Sequence, residues 1–208
     1  MSITGNKVFT IGHSTHSAEA FIALLRQHGV GAVADVRSSP YSRFNPQFNR
    51  DELEGALKAT GIHYVFLGRE LGARTEDRSC YEQGRVKYGR LASTPLFQSG
   101  IDRVQRGAER FRIALMCAER EPLECHRTLL VAKALAGRGV PVVHIHADGR
   151  LESHEATLDR LLKNADLAEP DMYRTREDLL SQALARQEER IAYVDEGMTG
   201  MKLREGPP

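Results

Sequence analysis

The sequence predicts an α/β fold, a mainly parallel Rossmann-like sheet of about five strands flanked by helices, with a helical C-terminal extension. Short apolar runs rich in β-branched and aromatic residues alternate with helical patterns along the chain, which is typical of βαβ units. Residues 113–116 and 140–143 are apolar at every position, as expected for strands that are covered on both faces. The chain has 208 residues, enough for one domain with a sizeable core.

The apolar runs and the first two helical patterns follow one another in order. The first helix lies between the first two strands, with Ser17 as its cap and Gly29 as its end. The second begins after Asn49, which has Glu52 at the spacing of a capping box. The five predicted strands are residues 8–11, 31–36, 62–67, 111–116 and 140–145.

Three further helices are expected after the third strand. Thr-Pro at 94–95 is typical of a helix cap followed by its first residue. Another helix is predicted over residues 122–136, and Ser153 is placed to cap the third. Residues 68–93 form a long loop rich in glycine and arginine, and loops of this length in compact domains are usually functional or disordered.

The chain changes character near residue 165. We predict an α/β domain over residues 1–165 and a helical extension with a mobile tail over residues 166–208. The extension includes a charged helix over about residues 175–193, with a narrow apolar stripe. Such a stripe packs on the edge of the domain or on a second subunit, so a homodimer through this helix is one expectation.

Composition excludes several classes of function. Lys and Arg number 29 and Asp and Glu number 28, which leaves no overall field to attract nucleic acid or an anionic membrane. No apolar run reaches the 18 or so residues of a membrane span, and the N-terminus lacks a signal-peptide pattern. Three cysteines do not indicate a disulfide framework. We therefore expect a cytoplasmic protein with reduced thiols and no membrane partner.

Ionisable or nucleophilic side chains follow every predicted strand. Ligands of open parallel sheets bind outside the carboxyl ends of the strands, so these side chains are expected to share one edge. The alternative is that strand ends are polar only because they meet loops. The candidates at this edge are His13 and Ser14 after the first strand, Asp35 and Arg37 after the second, and Cys117 and Glu119 after the fourth.

The segment 117–127 carries the most specific pattern. If its helix starts at residue 122, then Cys125, His126 and Arg127 lie in the first turns, where a helix N-terminus binds anions and lowers the pKa of a thiol. Cys125 is then the preferred thiolate and Cys117 the second choice. The alternative is that both are buried core residues, as free cysteines often are.

Two other functions stay open. Arginines and aromatic residues alternate over residues 37–48, a pattern suited to stacking on a base beside a phosphate, so a nucleic-acid or nucleotide-binding module is one alternative. The histidines and cysteines are numerous enough for a metal-dependent hydrolase, but no pair has zinc-finger spacing, so no metal ligand is assigned. Neither a Walker A motif nor Gly-x-Gly-x-x-Gly is present, and the cofactor is left unknown.

Four short motifs occur in a characteristic order: Thr-Ile-Gly-His-Ser at 10–14, Asp-Val-Arg at 35–37, Leu-Gly-Ala-Arg at 71–74 and the cysteine segment 117–127. Together they resemble the bacterial family called domain of unknown function 488, over roughly residues 7–150. In that family the third motif is commonly Leu-Gly-Gly-Arg, so Ala73 is a departure. The resemblance implies the fold and the location of a site, and it implies no substrate.

These observations together predict a thiol-dependent hydrolase or transferase, or an acid–base enzyme, that acts on a small anionic and perhaps nucleotide-like ligand. The catalytic candidates are Cys117, Glu119, Cys125, His126 and His13. The ligand-binding candidates are Ser14, Asp35, Arg37, Arg74 and Arg127.

Overall fold

A computed structural model describes residues 7–167 and 173–199 of the chain. The strands are β1 (Val8–Gly12), β2 (Ala32–Asp35), β3 (His63–Phe66), β4 (Tyr81–Glu82), β5 (Arg85–Val86), β6 (Ile113–Cys117), β7 (Val142–Ile145) and β8 (Leu151–Ser153). Six of them form a sheet in the order β3-β2-β6-β1-β7-β8, in which only β8 is antiparallel, and β4 pairs with β5 in a separate hairpin. The predicted α/β class with a mainly parallel sheet is confirmed. The edge strand β8 and the β4–β5 hairpin were not predicted, because strands of two or three residues are too short to show the alternation of apolar and polar residues.

Helices cover both faces of the sheet. They are α1 (Ala18–Gln27), α2 (Arg50–Ala59), α3 (Gly68–Leu71), α4 (Tyr88–Ala92), α5 (Pro95–Ala108), α6 (Lys133–Gly137), α7 (His154–Asn164), α8 (Arg176–Ile191) and α9 (Glu196–Thr199). Side chains of α1 and α2 share one buried cluster with alternate residues of the strands, and those of α5, α7 and α8 share the other. Within the described ranges, no helix has the length and apolar character needed to cross a membrane.

The four predicted helix starts are confirmed. The side chains of Ser17, Thr94 and Ser153 each accept a hydrogen bond from the backbone of the first turn. Asn49 precedes α2 as predicted, but its side chain makes no capping bond there. Its Oδ1 instead accepts from the backbone N–H of Ser42 at 2.7 Å, which ties down the loop before α2.

The helix predicted over residues 122–136 begins later than expected. Residues Pro122–Glu124 form a single 3-10 turn, and the backbone of Cys125 is extended, with φ −137° and ψ 139°. The helix proper follows as a π-helical segment, Arg127–Ala132, which continues into α6. The prediction was wrong because the break at Cys125 leaves no local sequence signal. Wide π-helical turns are frequent at functional sites.

The helix of the C-terminal extension packs on its own domain. Gln187 of α8 donates from Nε2 to the backbone oxygen of Leu123 at 2.7 Å. Just after α8, the oxygen of Tyr193 accepts from the N–H of Val86 at 3.0 Å. These bonds attach the extension both to the segment before the π-helix and to the hairpin. A homodimer through α8 stays a prediction. The predicted tail begins with the Gly-Met-Thr-Gly segment at 197–200, of which residues 197–199 belong to the short helix α9, and residues 200–208 lie outside the described residues.

A buried pair of histidines joins β7 to α7. His144 lies with Nδ1 2.7 Å from Oγ1 of Thr10 and with Nε2 3.1 Å from Nδ1 of His154. The buried Nε2 of His154 has no hydrogen-bond partner. Burial, followed by the charge of the neighbouring ring, lowers the pKa of His144 to about 2, and burial lowers the pKa of His154 to about 4. Both rings are therefore neutral in the folded protein at neutral pH.

We predict that this pair makes the fold sensitive to acid. Both folded pKa values lie below the unfolded value of about 6.5, so the stabilisation is complete above that pH and is lost as the pH falls toward the folded values. Each ring should cost up to about 1.4 kcal/mol of unfolding free energy per pH unit below 6.5. Urea unfolding of His154→Gln as a function of pH should show a shallower loss than wild type. The exposed control His63→Gln should match wild type, and identical slopes in all three proteins would contradict the prediction.

Candidate functional site

The carboxyl ends of β2 and β6 open into one cavity. The connections that leave these neighbouring strands lead to helices on opposite faces of the sheet, which opens a crevice at this edge. The cavity has a volume of about 410 Å³. It is lined by Arg37, Ser38, Ser39, Tyr41, Ala73, Arg74, Tyr88, Cys117, Ala118, Glu119, Glu124, His126, Ile191 and Tyr193.

Four side chains with ligating or nucleophilic atoms converge beside this cavity, and all of them except Cys125 line it. One donor atom from each lies within 4.8 Å of the donor atoms of the other three. The Nδ1 atom of His126 is 3.7 Å from Sγ of Cys117 and 3.9 Å from Sγ of Cys125. We call these residues the Cys-His-Glu cluster: Cys117, Glu119, Cys125 and His126.

A backbone hydrogen bond on the side away from the sulfurs fixes the orientation of the His126 ring. Its Nε2 is 3.0 Å from the backbone oxygen of Val36 at the end of β2 and therefore carries the proton and donates it to that oxygen. In the neutral ring, Nδ1 then presents a lone pair toward the two sulfurs. The ring is thus set to accept a proton from a thiol or to bind a metal ion.

Arg127 is fully buried beneath the cluster. Its Nη1 donates to the backbone oxygen of Glu119 at 2.6 Å and its Nη2 to that of Arg120 at 3.2 Å, while its buried Nε has no partner. Across residues 7–167 and 173–199, no carboxylate forms an ion pair with it. A buried cation of this kind needs nearby negative charge. The sulfurs and the carboxylate of the cluster are the groups placed to supply it.

The loop that carries Glu119 is held by backbone contacts from β1. The N–H groups of His13 and Ser14 donate to the oxygens of Cys117 and Ala118, each at 2.9 Å. The two segments can approach this closely because residue 12 is glycine: a Cβ atom there would lie 1.9 Å from the backbone oxygen of Glu119. A side chain at position 12 would therefore displace the loop.

A second buried charge, Arg37, forms the opposite wall. Its Nε and Nη2 donate to the two oxygens of Asp35 at 2.9 and 2.6 Å, and Nη2 also donates to the oxygen of Phe48. Asp35, fully buried, accepts a further bond from Tyr64 at 2.8 Å. The bidentate pair fixes the guanidinium at the cavity, so Asp35 orients Arg37 and does not itself reach a ligand.

His13 supports Arg37 and does not line the cavity. Its Nδ1 is 2.9 Å from the oxygen of Ser14, its Nε2 is 3.3 Å from Nη1 of Arg37, and its ring stacks on Phe48 with centroids 4.3 Å apart. Burial and then the charge of Arg37 lower the pKa of His13 to about 4, against the hydrogen bond to Ser14. The ring is therefore neutral and accepts from Arg37 at neutral pH.

The four groups of the cluster perturb one another. Burial raises the pKa of Cys117, and the adjacent Cys125 raises it further. Burial would also raise the pKa of Cys125, but the hydrogen bond from Cys117 and the charge of Arg127 outweigh it, and the pKa falls well below the ordinary value. Burial and the Cys125 thiolate raise the pKa of Glu119. Sγ of Cys125 donates a hydrogen bond to Oε2 of Glu119 at 2.8 Å.

Arg74 and Tyr193 form the outer rim. The guanidinium of Arg74 lies over the Tyr193 ring at 4.7 Å from its centroid, and the N–H of Arg74 donates to Oγ of Ser38. Arg74 is exposed, so its charge is available to a ligand in the cavity. Ala73 before it has no positive φ, so the turn accepts alanine where the family commonly has glycine.

The structure gathers some of the predicted residues and leaves others aside. Five of them line the cavity: Arg37, Arg74, Cys117, Glu119 and His126. Cys125 and Arg127 lie in contact with this group without lining it, Asp35 and His13 support Arg37, and Ser14 contributes only its backbone to the loop.

Two groups of lining residues were not assigned to the site from sequence. Tyr41, Ser38 and Ser39 follow β2, where polar loop residues gave no reason to select them. Tyr88, Ile191 and Tyr193 come from the long loop and the extension. Their approach depends on how α8 packs, which no local pattern indicates.

The family of the chain is decided by comparison with family models. The model described as Domain of unknown function DUF488 matches residues 17–134, more than half of the chain. The chain belongs to this family. The DUF488 match includes the segments 35–37, 71–74 and 117–127 that form the cavity, and the first motif at 10–14 precedes it. Neither the curated proteins nor the solved structures gave a significant match.

We predict that Gly12→Ala disrupts the site through the loop that it contacts. The new methyl group meets a backbone oxygen, so unfolding free energy should fall by about 1–3 kcal/mol, the typical cost of overpacking. Gly55→Ala is the matched control, because a Cβ there meets nothing within 4 Å and the residue lies inside α2. That change should stabilise by up to about 1 kcal/mol. Equal effects of the two substitutions in urea unfolding would refute the proposed contact.

Proposed function

We propose that this protein is an enzyme that binds a small anionic ligand in the carboxyl-edge cavity and transforms it at the Cys-His-Glu cluster. The observation that carries the proposal is that two arginines and three of the four cluster residues, Cys117, Glu119 and His126, line the same cavity. Reaction centres of open parallel sheets lie at this edge. Perturbed ionisable groups in a cleft also favour a functional site over a structural one.

The two arginines suit different parts of the anion site. Arg37 is held rigidly by Asp35 and loses no conformational freedom on binding, but its Nε and Nη2 already donate to Asp35 and Phe48, so it offers a ligand its fixed charge and the Nη1 group that also contacts His13. Arg74 is exposed and can close on the ligand from the rim. Guanidinium groups bind phosphate and carboxylate oxygens through paired hydrogen bonds, so a phosphate- or carboxylate-bearing ligand fits the site best.

The cluster can supply two kinds of reactive group. In a thiol mechanism, Cys117 is the sulfur on the cavity wall, and its proton would pass to Nδ1 of His126 at 3.7 Å. In a metal mechanism, the same atoms would hold an ion that activates water. Cys117 and Cys125 are only 3% and 1% exposed. Their burial favours the second reading, because a nucleophile must be reached by its substrate.

The thiol that sequence patterns favoured is therefore the less accessible one. Cys125 carries the lower pKa but does not line the cavity, whereas Cys117 lines it but has the raised pKa. A single nucleophile would need both properties in one residue. Acting together, the two sulfurs support a shared role.

A nucleotide-binding module is the second candidate, favoured by one observation. Tyr41 lines the cavity and is 60% exposed, Phe44 of the same loop is 80% exposed, and the guanidinium of Arg43 lies 5.0 Å from the Phe44 ring centroid. Exposed rings of this kind stack on bases. If this candidate is right, the arginines of the cavity bind the phosphate of a nucleotide, and the aromatic rings of the loop after β2 stack on its base.

Inorganic phosphate binding tests the proposed function at its first step. We predict that Arg74→Ala weakens phosphate binding by about 10- to 100-fold in calorimetry, since charge-assisted hydrogen bonds contribute about 1.5–3 kcal/mol. Arg78→Ala is the matched control, since Arg78 is exposed in the same loop and does not line the cavity. No phosphate binding to wild type, or equal loss in both variants, would contradict the proposal.

Nucleotide binding separates the two candidates. If the second candidate is right, Phe44→Ala should weaken binding of a mononucleotide by roughly tenfold or more while phosphate binding is unchanged, because stacking contributes about 1–3 kcal/mol per base. Tyr173→Ala, at an 89% exposed tyrosine of the extension, serves as the control. Equal affinity for phosphate and for nucleotide in wild type and Phe44→Ala would exclude a base-stacking role.

A further inference from the structure

The Cys-His-Glu cluster already has the dimensions of a metal site. A sulfur and a nitrogen bound to one tetrahedral zinc ion lie about 3.6 Å apart, given bond lengths of about 2.3 and 2.0–2.1 Å. The distances from Nδ1 of His126 to the sulfurs of Cys117 and Cys125 are 3.7 and 3.9 Å. An ion could therefore occupy the centre with little movement of these three side chains.

Groups behind the cluster match those that surround metal ligands. A metal-binding histidine typically donates its other ring N–H to a backbone carbonyl or a carboxylate, and His126 donates to the oxygen of Val36. The backbone N–H of Arg127 lies 3.4 Å from Sγ of Cys125, in position to donate to a thiolate. Both contacts hold the donor atoms in place before any ion binds.

Charge balance is compatible with a divalent cation at this position. With both thiols and Glu119 ionised, the cluster carries three negative charges, and Arg127 supplies one positive charge from below. One divalent cation makes the sum zero. Without it, neighbouring negative groups such as Cys125 and Glu119 must share protons at hydrogen-bond distance.

We propose that the Cys-His-Glu cluster binds a thiophilic divalent cation, Zn²⁺ by the chemistry of its donors. Two thiolates and an imidazole select zinc over magnesium or calcium, which prefer oxygen. This inference deepens the proposed function by naming the group that meets the ligand, and it depends on that function only for the identity of the outer ligand.

Glu119 is the ligand that can leave. Its oxygen lies 2.8 Å from Sγ of Cys125, closer than two ligands of one ion normally stand, and the residue is solvent-exposed. When Glu119 swings away, the ion has three protein ligands and an open position toward the cavity. Catalytic zinc sites have this arrangement, whereas structural sites are closed by four ligands.

Metal analysis of the full chain, purified without chelator or affinity tag, gives the first test. We expect about one zinc per chain by mass spectrometry of the metal content. After chelation, titration with Co²⁺ should give the near-ultraviolet band of sulfur-to-cobalt charge transfer and the visible bands of a tetrahedral ion. Reduced wild-type protein that binds neither metal would overturn the inference. A Cys117–Cys125 disulfide in metal-free protein, with no metal uptake after reduction, would overturn it equally.

Variants show which atoms bind the ion. Cys117→Ser and Cys125→Ser should each remove part of the charge-transfer band and lower Co²⁺ affinity by about 100-fold or more, beyond the usual effect of outer-shell changes. Cys80→Ser is the control, since this buried thiol lies outside the cluster and should bind metal as wild type does. Glu119→Gln, at an exposed residue, should retain the fold and the full charge-transfer band with lower affinity. An unchanged band in both cluster cysteine variants would overturn the assignment.

The metal site and the proposed function fail in different ways. Phosphate is titrated into zinc-loaded protein, into metal-free protein and into Arg74→Ala. Metal uptake by a protein that binds no phosphate in any of these three preparations would support the metal site and contradict the anion-binding function. Phosphate binding that depends on Arg74 in a protein that takes up no metal would do the reverse.

Discussion

The site depends on a buried positive charge. Arg127 is completely enclosed, and its guanidinium is bound by the backbone oxygens of residues 119 and 120. A buried cation is stable only with negative charge close by, and no carboxylate of the described residues forms an ion pair with Arg127. The thiols and Glu119 are therefore held where their ionised forms are favoured. The same hydrogen bonds hold the loop after β6 in place, so the Arg127 side chain both positions this loop and supplies the positive charge near the cluster.

The two walls of the cavity reach rigidity by different means. One wall uses the buried Asp35–Arg37 pair, with His13 neutral against it and Tyr64 donating from the side. The other uses backbone contacts between the ends of β1 and β6, which only glycine at position 12 permits. Preorganised charges of this kind lose little entropy when a ligand binds. The exposed rim, with Arg74 and the extension, is the part free to adapt.

Sequence patterns located the strands and the edge, since apolar runs and βαβ alternation are local signals. They also selected Cys117, Glu119 and His126, because these residues lie at the end of the buried strand β6 or in the segment that follows it. They placed Cys125 in a helix, whereas an extended residue and a π-helical turn stand there. A search for zinc-finger spacing does not find the cluster, because its residues come from the end of β6, the loop after it and the start of the π-helical segment. The roles of Tyr88 and Tyr193 depend on long-range packing and have no sequence signal.

We propose that two thiolates, an imidazole and a carboxylate act as one metal centre at the carboxyl edge of the sheet. X-ray absorption at the zinc edge of the purified protein tests this most directly. We expect two sulfur atoms at about 2.3 Å and nitrogen or oxygen atoms at 2.0–2.2 Å from the ion. A zinc ion surrounded only by oxygen and nitrogen, or a spectrum without bound metal, would contradict it.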